Sequence, residues 1–287
     1  ALAGWVPDAG DDAAVVDGLV LTTDMLHAET DFPAGTTTYT AGWRAVGASL
    51  SDVAAMGAEA VAAVAVYAAP AFDPDALEAF VEGARAVCGT VEADYVGGDL
   101  DTHDEFTVVS SALGRTSEPV RRAGAAPGEA VCVTGTLGRS AAAVRLFEAG
   151  EIERANDRFR FTPRVRAGRA LAPHATAMMD SSDGLARSLH QLAAASDCGF
   201  AVETPLPIDE VVDELATTPA DRREQGVFFG EDFELVCTLP EDRLAAAREA
   251  MPENLALTRI GTVTASGITL DGDPLPDRGY THGTGSD

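Results

Sequence analysis

Aspartates bracket two short apolar runs near the beginning of the chain, in the stretch GDDAAVVDGLVLTTDML at 10–26. The runs at 13–16 and 19–21 predict a β-hairpin, because strands of this length readily bury apolar side chains. Asp12 precedes the first run and Asp24 follows the second. The two strands of a hairpin hold such aspartates in fixed positions. The fold must therefore provide a favourable environment for carboxylates at both strand ends.

Other acids also lie among apolar or small residues rather than on a polar face. They are Asp52 in GASLSDVAAMGA, Asp99 in YVGGD, Asp180 and Asp183 in MMDSSDGL, and Glu231 and Asp232 before FELVCTL. Taken singly, some have a structural explanation, since Asp183 can cap a helix and Asp99 can close a Gly-Gly turn. Asp52 is harder to explain, because an unpaired carboxylate in a tight helix is costly to desolvate. A cation is therefore expected beside it.

The donor types indicate which cation is expected. Carboxylates and threonine hydroxyls without a His or Cys cluster favour Mg²⁺ over Zn²⁺, and Mg²⁺ commonly takes substrate phosphates as further ligands. The usual nucleotide motifs are absent, because the chain has no lysine and no Walker sequence. The stretch VTGTLGRS has a strand–glycine–helix pattern that an ordinary tight turn also explains. The residues alone thus leave two possibilities open, a site for several Mg²⁺ ions and phosphate, or solvated acids.

The overall charge excludes some partners. The formal net charge is −26, with 46 acidic residues against 20 basic residues, all of them arginine. Such a chain should repel nucleic acid and anionic membranes. A surface rich in Asp and Glu suits very high salt, where the Debye length falls to about 3 Å at 1 M. Most of the acids are therefore expected to be solvating residues of a halophilic protein.

The spacing of the cysteines and the length of the apolar runs indicate the cellular compartment in which the chain is expected to fold. The four cysteines (Cys88, Cys132, Cys198 and Cys237) are far apart in the sequence and form no CxxC pair. Buried free thiols in a reducing cytoplasm are therefore expected. The longest apolar run, at 60–71, is too short to span a membrane.

The order of predicted elements indicates an α+β fold with mixed sheets in both halves. After the hairpin, strands are expected at 60–68, 93–96, 106–113, 130–134, 177–180, 233–239 and near 257–270. Helices are expected at 42–56, from Pro74, from GTLGRS to Ala149, at 163–172, at 183–195 and from Glu241. The polar stretch at 115–128 separates two predicted domains, an N-terminal one at 1–120 and a C-terminal one at 121–287.

Seven motifs occur in a fixed order: GDDAAVV, TTDML, GWRAVGASLSDVAAMGA, GGD, VTGTLG, MDSSDGL and GEDFEL. Together they resemble the thiamine-monophosphate kinase family, whose superfamily includes aminoimidazole ribonucleotide synthetase and selenophosphate synthetase. The resemblance covers most of the chain. It implies a two-domain aminoimidazole-ribonucleotide-synthetase-like fold, with N-terminal domains pairing into a dimeric β-barrel. It also implies a kinase that forms thiamine diphosphate from thiamine monophosphate and ATP with several Mg²⁺ ions.

The resemblance assigns roles to individual residues. The implied metal ligands are Asp12, Thr22, Thr23, Asp24, Asp52, Asp99, Asp180 and Asp183. The implied ATP contacts are Gly98, Asp99, Arg122 and Ser182. Among these, the residues expected to support the transfer itself are Asp24, Asp52 and Arg122. Asp52 is expected to hold more than one Mg²⁺ ion.

Substrate contacts are where this chain departs from the family pattern. Glu231 of GEDFEL matches a substrate-side contact. Asp31 stands before Phe32 where the family has a His-Phe pair, and Asp277 precedes the sequence GYTH where an aromatic residue is common. Asp31 and Asp277 are therefore the candidate substrate residues at these two places, and both changes affect the thiamine side.

The implied mechanism needs no general base, because the attacking phosphate oxygen of thiamine monophosphate is already anionic. Catalysis is expected to depend on in-line positioning, on Mg²⁺ and on a bidentate Arg122. Two alternatives remain. One is another ATP-dependent enzyme of the superfamily, such as aminoimidazole ribonucleotide synthetase, and the other is a non-catalytic acidic protein that binds cations. Selenophosphate synthetase is disfavoured, because its expected early Cys and its Lys are missing.

Overall fold

The computed structural model describes residues 10–280. These residues form two compact units, each with its own mixed sheet, so the predicted two-domain α+β fold is confirmed. The first unit comprises the described residues up to Val120 together with Ala143–Pro173. The second comprises Arg121–Ala142 and the described residues from His174 onwards. The contacts thus group Ala143–Pro173 with the first unit, whereas the sequence analysis assigned this segment to the C-terminal domain.

The first unit is built on a five-stranded sheet. Its strands are β1 (Ala14–Val16), β2 (Leu19–His27), β3 (Glu59–Ala69), β4 (Asp94–Thr102) and β5 (Thr107–Arg115). Their order is β1-β2-β5-β3-β4, so β1 and β4 are the edges of this sheet in a single chain. Only the β3–β4 pair is parallel within this sheet.

The second unit is built on a seven-stranded sheet. Its strands are β6 (Ala130–Thr134), β7 (Ala177–Asp180), β8 (Gly199–Val202), β9 (Leu235–Leu239), β10 (Leu257–Thr264), β11 (Ile268–Leu270) and β12 (Asp273–Pro274). Their order is β12-β11-β8-β10-β6-β9-β7. The core of this unit packs around buried side chains such as Val133, Met179 and Phe200.

The helices follow the same chain order. They are α1 (Ala28–Asp31), α2 (Thr38–Ala55), α3 (Pro74–Thr90), α4 (Arg139–Glu148), α5 (Ile152–Phe159), α6 (Val165–Leu171), α7 (Leu185–Ser196), α8 (Glu210–Leu215), α9 (Pro219–Arg223) and α10 (Leu244–Ala250). A π-helical turn occupies Glu224–Phe228 and a 3-10 turn occupies Glu241–Arg243.

Helix α2 supplies much of the first core and carries one of the candidate residues. Its predicted apolar stripe of Val46, Leu50 and Val53 is fully buried. A Cβ at Gly42 would lie 2.1 Å from the Phe80 carbonyl oxygen, so only glycine allows α2 and α3 to approach this closely. The same helix presents Asp52 near its carboxyl end.

The predicted hairpin at the start of the chain is confirmed. β1 and β2 pair in antiparallel register with Ala14 opposite Leu21. Asp17 and Gly18 form the turn with φ values of 51° and 77°, which is the backbone that a two-residue hairpin requires. Strand β2 then runs through the TTD triplet to His27, so Asp24 lies within the strand rather than at its end.

Two sequence expectations about aspartates are corrected. The strand expected to end at GGD continues as β4 to Thr102, so Asp99 does not close a turn. Glycine makes this possible, because a Cβ at Gly98 would lie 1.7 Å from the Ala65 carbonyl oxygen of the paired strand. Asp183 does not cap the next helix, because α7 begins at Leu185 with Gly184 as its N-cap.

The remaining expectations concern cysteines and membranes. All four cysteines are free, and all but the half-buried Cys198 are buried. Between residues 10 and 280, no helix has both the length and the apolar character needed to cross a bilayer.

Candidate active site

Strand β2 divides the TTD triplet between two faces of the first sheet. Because successive side chains in a strand alternate, Thr22 and Asp24 share one face and Thr23 lies on the other. Thr22 is buried, Asp24 is half-buried, and Thr23 is exposed. The face with Thr22 and Asp24 is the one on which α2 packs, as the bond between Ser49 of α2 and Asp24 shows.

Asp12, Thr22, Asp24 and Asp52 form a cluster that we call the acidic centre. The Thr22 hydroxyl donates a short hydrogen bond to Asp52 Oδ2. One carboxylate oxygen of Asp12 and one of Asp52 lie within 4.8 Å of each other. An open cleft of about 490 Å³ adjoins this cluster and is lined by Asp11, Asp12, Ala13, Ala14, Leu21, Thr22, Thr23 and Ser111.

A chain of hydroxyl groups orients Asp24. Ser49 Oγ donates to Asp24 Oδ2 at 2.8 Å and lies 2.7 Å from Ser110 Oγ. Ser110 Oγ in turn donates to the Ala45 carbonyl oxygen at 2.6 Å. Burial raises the pKa of Asp24 above its ordinary value, the Ser49 bond lowers it, and the nearby Asp12 charge raises it. A bound cation would offset both the burial and the repulsion between carboxylates.

The donor set of the acidic centre fits Mg²⁺. The carboxylates of Asp12, Asp24 and Asp52 and the Thr22 hydroxyl offer only hard oxygen ligands, and Asp12 and Thr22 line the open cleft. The alternation of β2 places Thr22 and Asp24 on the face that α2 covers, and the hydrogen bond from Thr22 joins this face to Asp52 at the end of α2. Their binding of metal remains a prediction.

Gly98 and Asp99 do not join the acidic centre within one chain. Along the sheet, Asp24 pairs with Ser110, Ser110 with Ala65, and Ala65 with Gly98. Three strand spacings of about 4.8 Å place Gly98 roughly 14 Å from Asp24. Asp99 is exposed, and its Oδ1 accepts a hydrogen bond from the adjacent Leu100 amide. A cavity of about 440 Å³ between β4 and α3 includes Gly98 and Asp99 in its lining.

Asp31, a candidate substrate residue, is engaged locally. Its Oδ2 accepts hydrogen bonds from the His27 amide at 2.7 Å and from the Thr30 hydroxyl at 2.7 Å. These bonds close the single turn α1 that follows β2. The carboxylate is half-buried, so a substrate would have to share or replace these donors.

In the second unit, the MDSSDGL and GEDFEL motifs form adjoining loops. Asp180 is buried at the end of β7, whereas Ser182 and Asp183 are half-buried. The Glu231 amide donates to the Ser182 carbonyl at 2.5 Å, and the Phe233 amide donates to the Ser181 carbonyl at 3.1 Å. The structure therefore brings Asp180, Ser182, Asp183 and Glu231 into one region of this unit.

Asp277 and Arg122 occupy different surroundings in the same unit. Asp277 pairs with Arg187 of α7, with Oδ1 and Nε 3.1 Å apart. The Tyr280 amide donates to the Asp183 carbonyl at 3.2 Å, so the segment after Asp277 returns to the MDSSDGL loop. Arg122 is half-buried, and its carbonyl accepts a bond from Ser196. Thr281 and His282 of the GYTH sequence lie outside the described residues.

The glycine turn of VTGTLGRS is closed by a side chain of its own unit. The amides of Gly138 and Ser140 donate to the two oxygens of the Asp232 carboxylate at 2.6 and 3.1 Å. Burial raises the pKa of Asp232 to about 7, while these two amides lower it and the charges of Glu234 and Asp209 raise it. The start of α4 is thus occupied by a carboxylate, which supports the interpretation of this motif as a structural turn.

The residues that hold the candidate side chains in place were not predicted from the sequence. Ser49 precedes Asp52 by three positions on α2, so the helical spacing could have indicated their shared face. Arg187, which pairs with Asp277, gives no such signal, because the two residues are 90 positions apart.

Comparison with known proteins shows which family this chain resembles. The AIR synthase related protein family matches with its N-terminal domain at residues 10–116 and its C-terminal domain at 126–272. The thiamine-monophosphate kinase of Halobacterium salinarum is 63% identical over 280 residues, which cover 97% of this chain and 96% of that protein. The thiamine-monophosphate kinase of Methanospirillum hungatei is 41% identical over 285 residues, covering 95% of this chain and 92% of that protein.

A solved structure extends the comparison to the fold. AaThiL complexed with AMPPCP and TMP matches with a TM-score of 0.85 and 28% identity, covering 95% of this chain and 91% of that chain. Two domain models, two relatives over nearly their full length and one solved fold agree. The chain therefore belongs to the thiamine-monophosphate kinase family.

Proposed function

We propose that this chain transfers the γ-phosphoryl group of ATP to thiamine monophosphate, forming thiamine diphosphate. The observation that carries the proposal is the 63% identity to a thiamine-monophosphate kinase over 97% of the chain. A related structure that holds AMPPCP and TMP together supports both substrates. The acidic centre supplies the oxygen ligands that a phosphate-binding metal site needs.

Asp12, Thr22, Asp24 and Asp52 would hold Mg²⁺ in the first unit. A Mg²⁺ ion bound there would supply positive charge against the phosphate oxygens. Thr23 belongs to the same proposed ligand set, although its side chain lies on the outer face of the sheet. Asp180 and Asp183 of the second unit, and Asp99 on β4, remain proposed metal ligands by family resemblance.

The chain's own residues would bind and orient the two phosphate-bearing substrates. Arg122 offers a planar guanidinium that can grip phosphate oxygens in a bidentate manner. Ser182, Gly98 and Asp99 are proposed to contact ATP. The attacking phosphate of thiamine monophosphate is already anionic near neutral pH, so in-line positioning replaces proton removal.

Glu231, Asp31 and Asp277 are the proposed substrate-side residues. Glu231 is half-buried beside the MDSSDGL loop, which suits a residue that contacts a ligand. Asp31 already accepts hydrogen bonds from His27 and Thr30, and Asp277 pairs with Arg187. These two carboxylates are therefore better suited to shaping the binding site for the thiamine rings than to binding a charged group of the substrate.

We further propose a homodimer that works in the cytoplasm, where ATP is available. The outer face and edge of the first sheet expose a group of large apolar residues, namely Leu21, Met25, Val64 and Val96. Thr23 and Asp99 also lie on this face, three strands apart. A second copy seated there would bury the apolar side chains that surround Thr23 and Asp99. This supports the dimeric barrel that the resemblance implies.

The direct test is product formation by the purified chain in high-KCl buffer. We expect thiamine diphosphate, detected by mass, from Mg²⁺-ATP and thiamine monophosphate, and no product after addition of EDTA. A folded protein that binds ATP but forms no thiamine diphosphate would contradict the proposal, and aminoimidazole ribonucleotide synthetase substrates would then be tested.

A further inference from the structure

The Asp232 carboxylate ties two segments of the second unit together. Its oxygens accept hydrogen bonds from the amides of Gly138 and Ser140, at the start of α4. In return, Ser140 Oγ donates to the carbonyl oxygen of Glu231 at 2.6 Å. Side chain and backbone thus bond reciprocally between the first turn of α4 and the pair Glu231–Asp232, as they do in a helix capping box.

The backbone around Asp232 has an unusual conformation. Glu231 and Phe233 have φ values of 65° and 53°, in the left-handed region that residues with side chains rarely adopt. Their amides donate to the carbonyls of Ser182 and Ser181. Such a conformation persists only where neighbouring groups hold it in place. Here the hydrogen bonds of the Asp232 carboxylate and those to the two serine carbonyls hold it.

We propose that Asp232 is a positioning residue for phosphoryl transfer: it holds Glu231 in the backbone conformation that presents this side chain to thiamine monophosphate. The inference rests on the proposed function, because the substrate contact of Glu231 is part of it. Asp232 itself is only 4% exposed and acts through Glu231, which is half-buried.

The charges around Asp232 make the positioning sensitive to pH. Glu234 and Asp209 face it, and Arg139 and Glu231 lie on the bonded segments. Burial and the two facing carboxylates raise the pKa of Asp232 to about 7. A protonated carboxyl is a weaker acceptor than a carboxylate, so the hold on the two amides weakens as the pH falls through this range.

The test is a comparison of KM values for the wild type and Asp232→Asn. Losing a charge-assisted bond should raise KM for thiamine monophosphate by about tenfold, while KM for ATP stays within about twofold. The ratio of the variant's KM to that of the wild type should fall towards one from about pH 8 to about pH 6, because wild-type Asp232, with a pKa of about 7, also loses its charge. Ionisation of the substrate affects both proteins equally and cancels in this ratio.

Two further variants keep the test decisive if Asp232→Asn does not fold. Ser140→Ala removes only the hydroxyl that bonds Glu231 and should raise KM for thiamine monophosphate by about threefold. Thr238→Val is the matched control, because Thr238 is a fully buried residue of β9 in the same unit, and its hydroxyl bonds Thr176 rather than the segments held by Asp232. It should leave this KM unchanged.

The outcomes separate the two proposals. An inactive wild type would contradict the proposed function. An active wild type with unchanged KM values in both Asp232→Asn and Ser140→Ala would overturn the positioning role. Equal increases in KM for both substrates, or the same increase in Thr238→Val, would also overturn it, because they would indicate a general structural effect.

Discussion

At the residue scale, hydroxyl groups shape the acidic centre as much as carboxylates do. Thr22 donates to Asp52, and Ser49 donates to Asp24. Each donor fixes one carboxylate oxygen, which is how outer partners orient metal ligands. This explains why apolar stretches of β2 and α2 contain threonine and serine beside their aspartates.

Asp232 gives a prediction about stability. Its pKa in the folded protein is about 7, above the ordinary 3.8, so between these values the native state holds a proton that the unfolded chain has lost. The free energy of unfolding should therefore fall as pH rises from about 4 to about 7, by up to roughly 4 kcal/mol from this group. Asp232→Asn removes that dependence. Urea unfolding of both proteins in high KCl should show a flatter pH profile for the variant, and parallel profiles would contradict the argument.

At the element scale, the sequence was most informative where apolar spacing was regular. The hairpin, α2, β3, α3 and β6 were predicted because each buries one continuous stripe or run. Strand β8, helix α5 and the π-helical turn were missed, because they are short and their stability comes from tertiary packing. Strand β4 was ended too early, because its two glycines look like a turn until the neighbouring backbone is known.

The candidate site was predictable to a similar degree. Side chains on β2 and at the end of α2 were expected together, and the structure places them together. The partners of Asp31 and Asp277 were not predictable, because local backbone geometry and a distant arginine decide them.

Gly98 tests how far β4 depends on glycine. A Cβ there would lie 1.7 Å from the Ala65 carbonyl oxygen, so Gly98→Ala must displace β4 and should cost about 3 kcal/mol. Gly89→Ala is the matched control. It lies in α3 with nothing within 4 Å of its Cβ, and it should be neutral or slightly stabilising. Thermal unfolding of both variants checks this, and equal midpoints would contradict the packing argument.

At the scale of the whole molecule, net charge governs stability. The formal charge of −26 opposes compaction, and salt screens this repulsion. We expect the thermal midpoint to rise between about 0.2 M and about 2 M KCl, where the Debye length shortens from roughly 7 Å to 2 Å. A midpoint that stays constant over this range would contradict the halophilic interpretation.

The exposed apolar sheet face gives a prediction about assembly. Val96 is 63% exposed at the edge of this face. Because Val96→Arg would place a charge in the proposed interface, it should shift the dimer towards monomer and lower the activity. Ile152→Arg is the matched control, since Ile152 is 40% exposed on α5, away from the sheet. Light scattering coupled to size exclusion measures both. A wild type that is monomeric, or a Val96→Arg protein that stays dimeric, would contradict the proposed interface.

We propose that the acidic centre holds the Mg²⁺ that supports phosphorylation of thiamine monophosphate. The most direct measurement is the initial rate of thiamine diphosphate formation against Mg²⁺ concentration, for wild type, Asp24→Asn and Asp52→Asn. We expect a Mg²⁺-dependent rate for the wild type and a loss of about a thousandfold or more in both variants, with unchanged thermal midpoints. Wild-type rates and an unaltered Mg²⁺ dependence in either variant would contradict it.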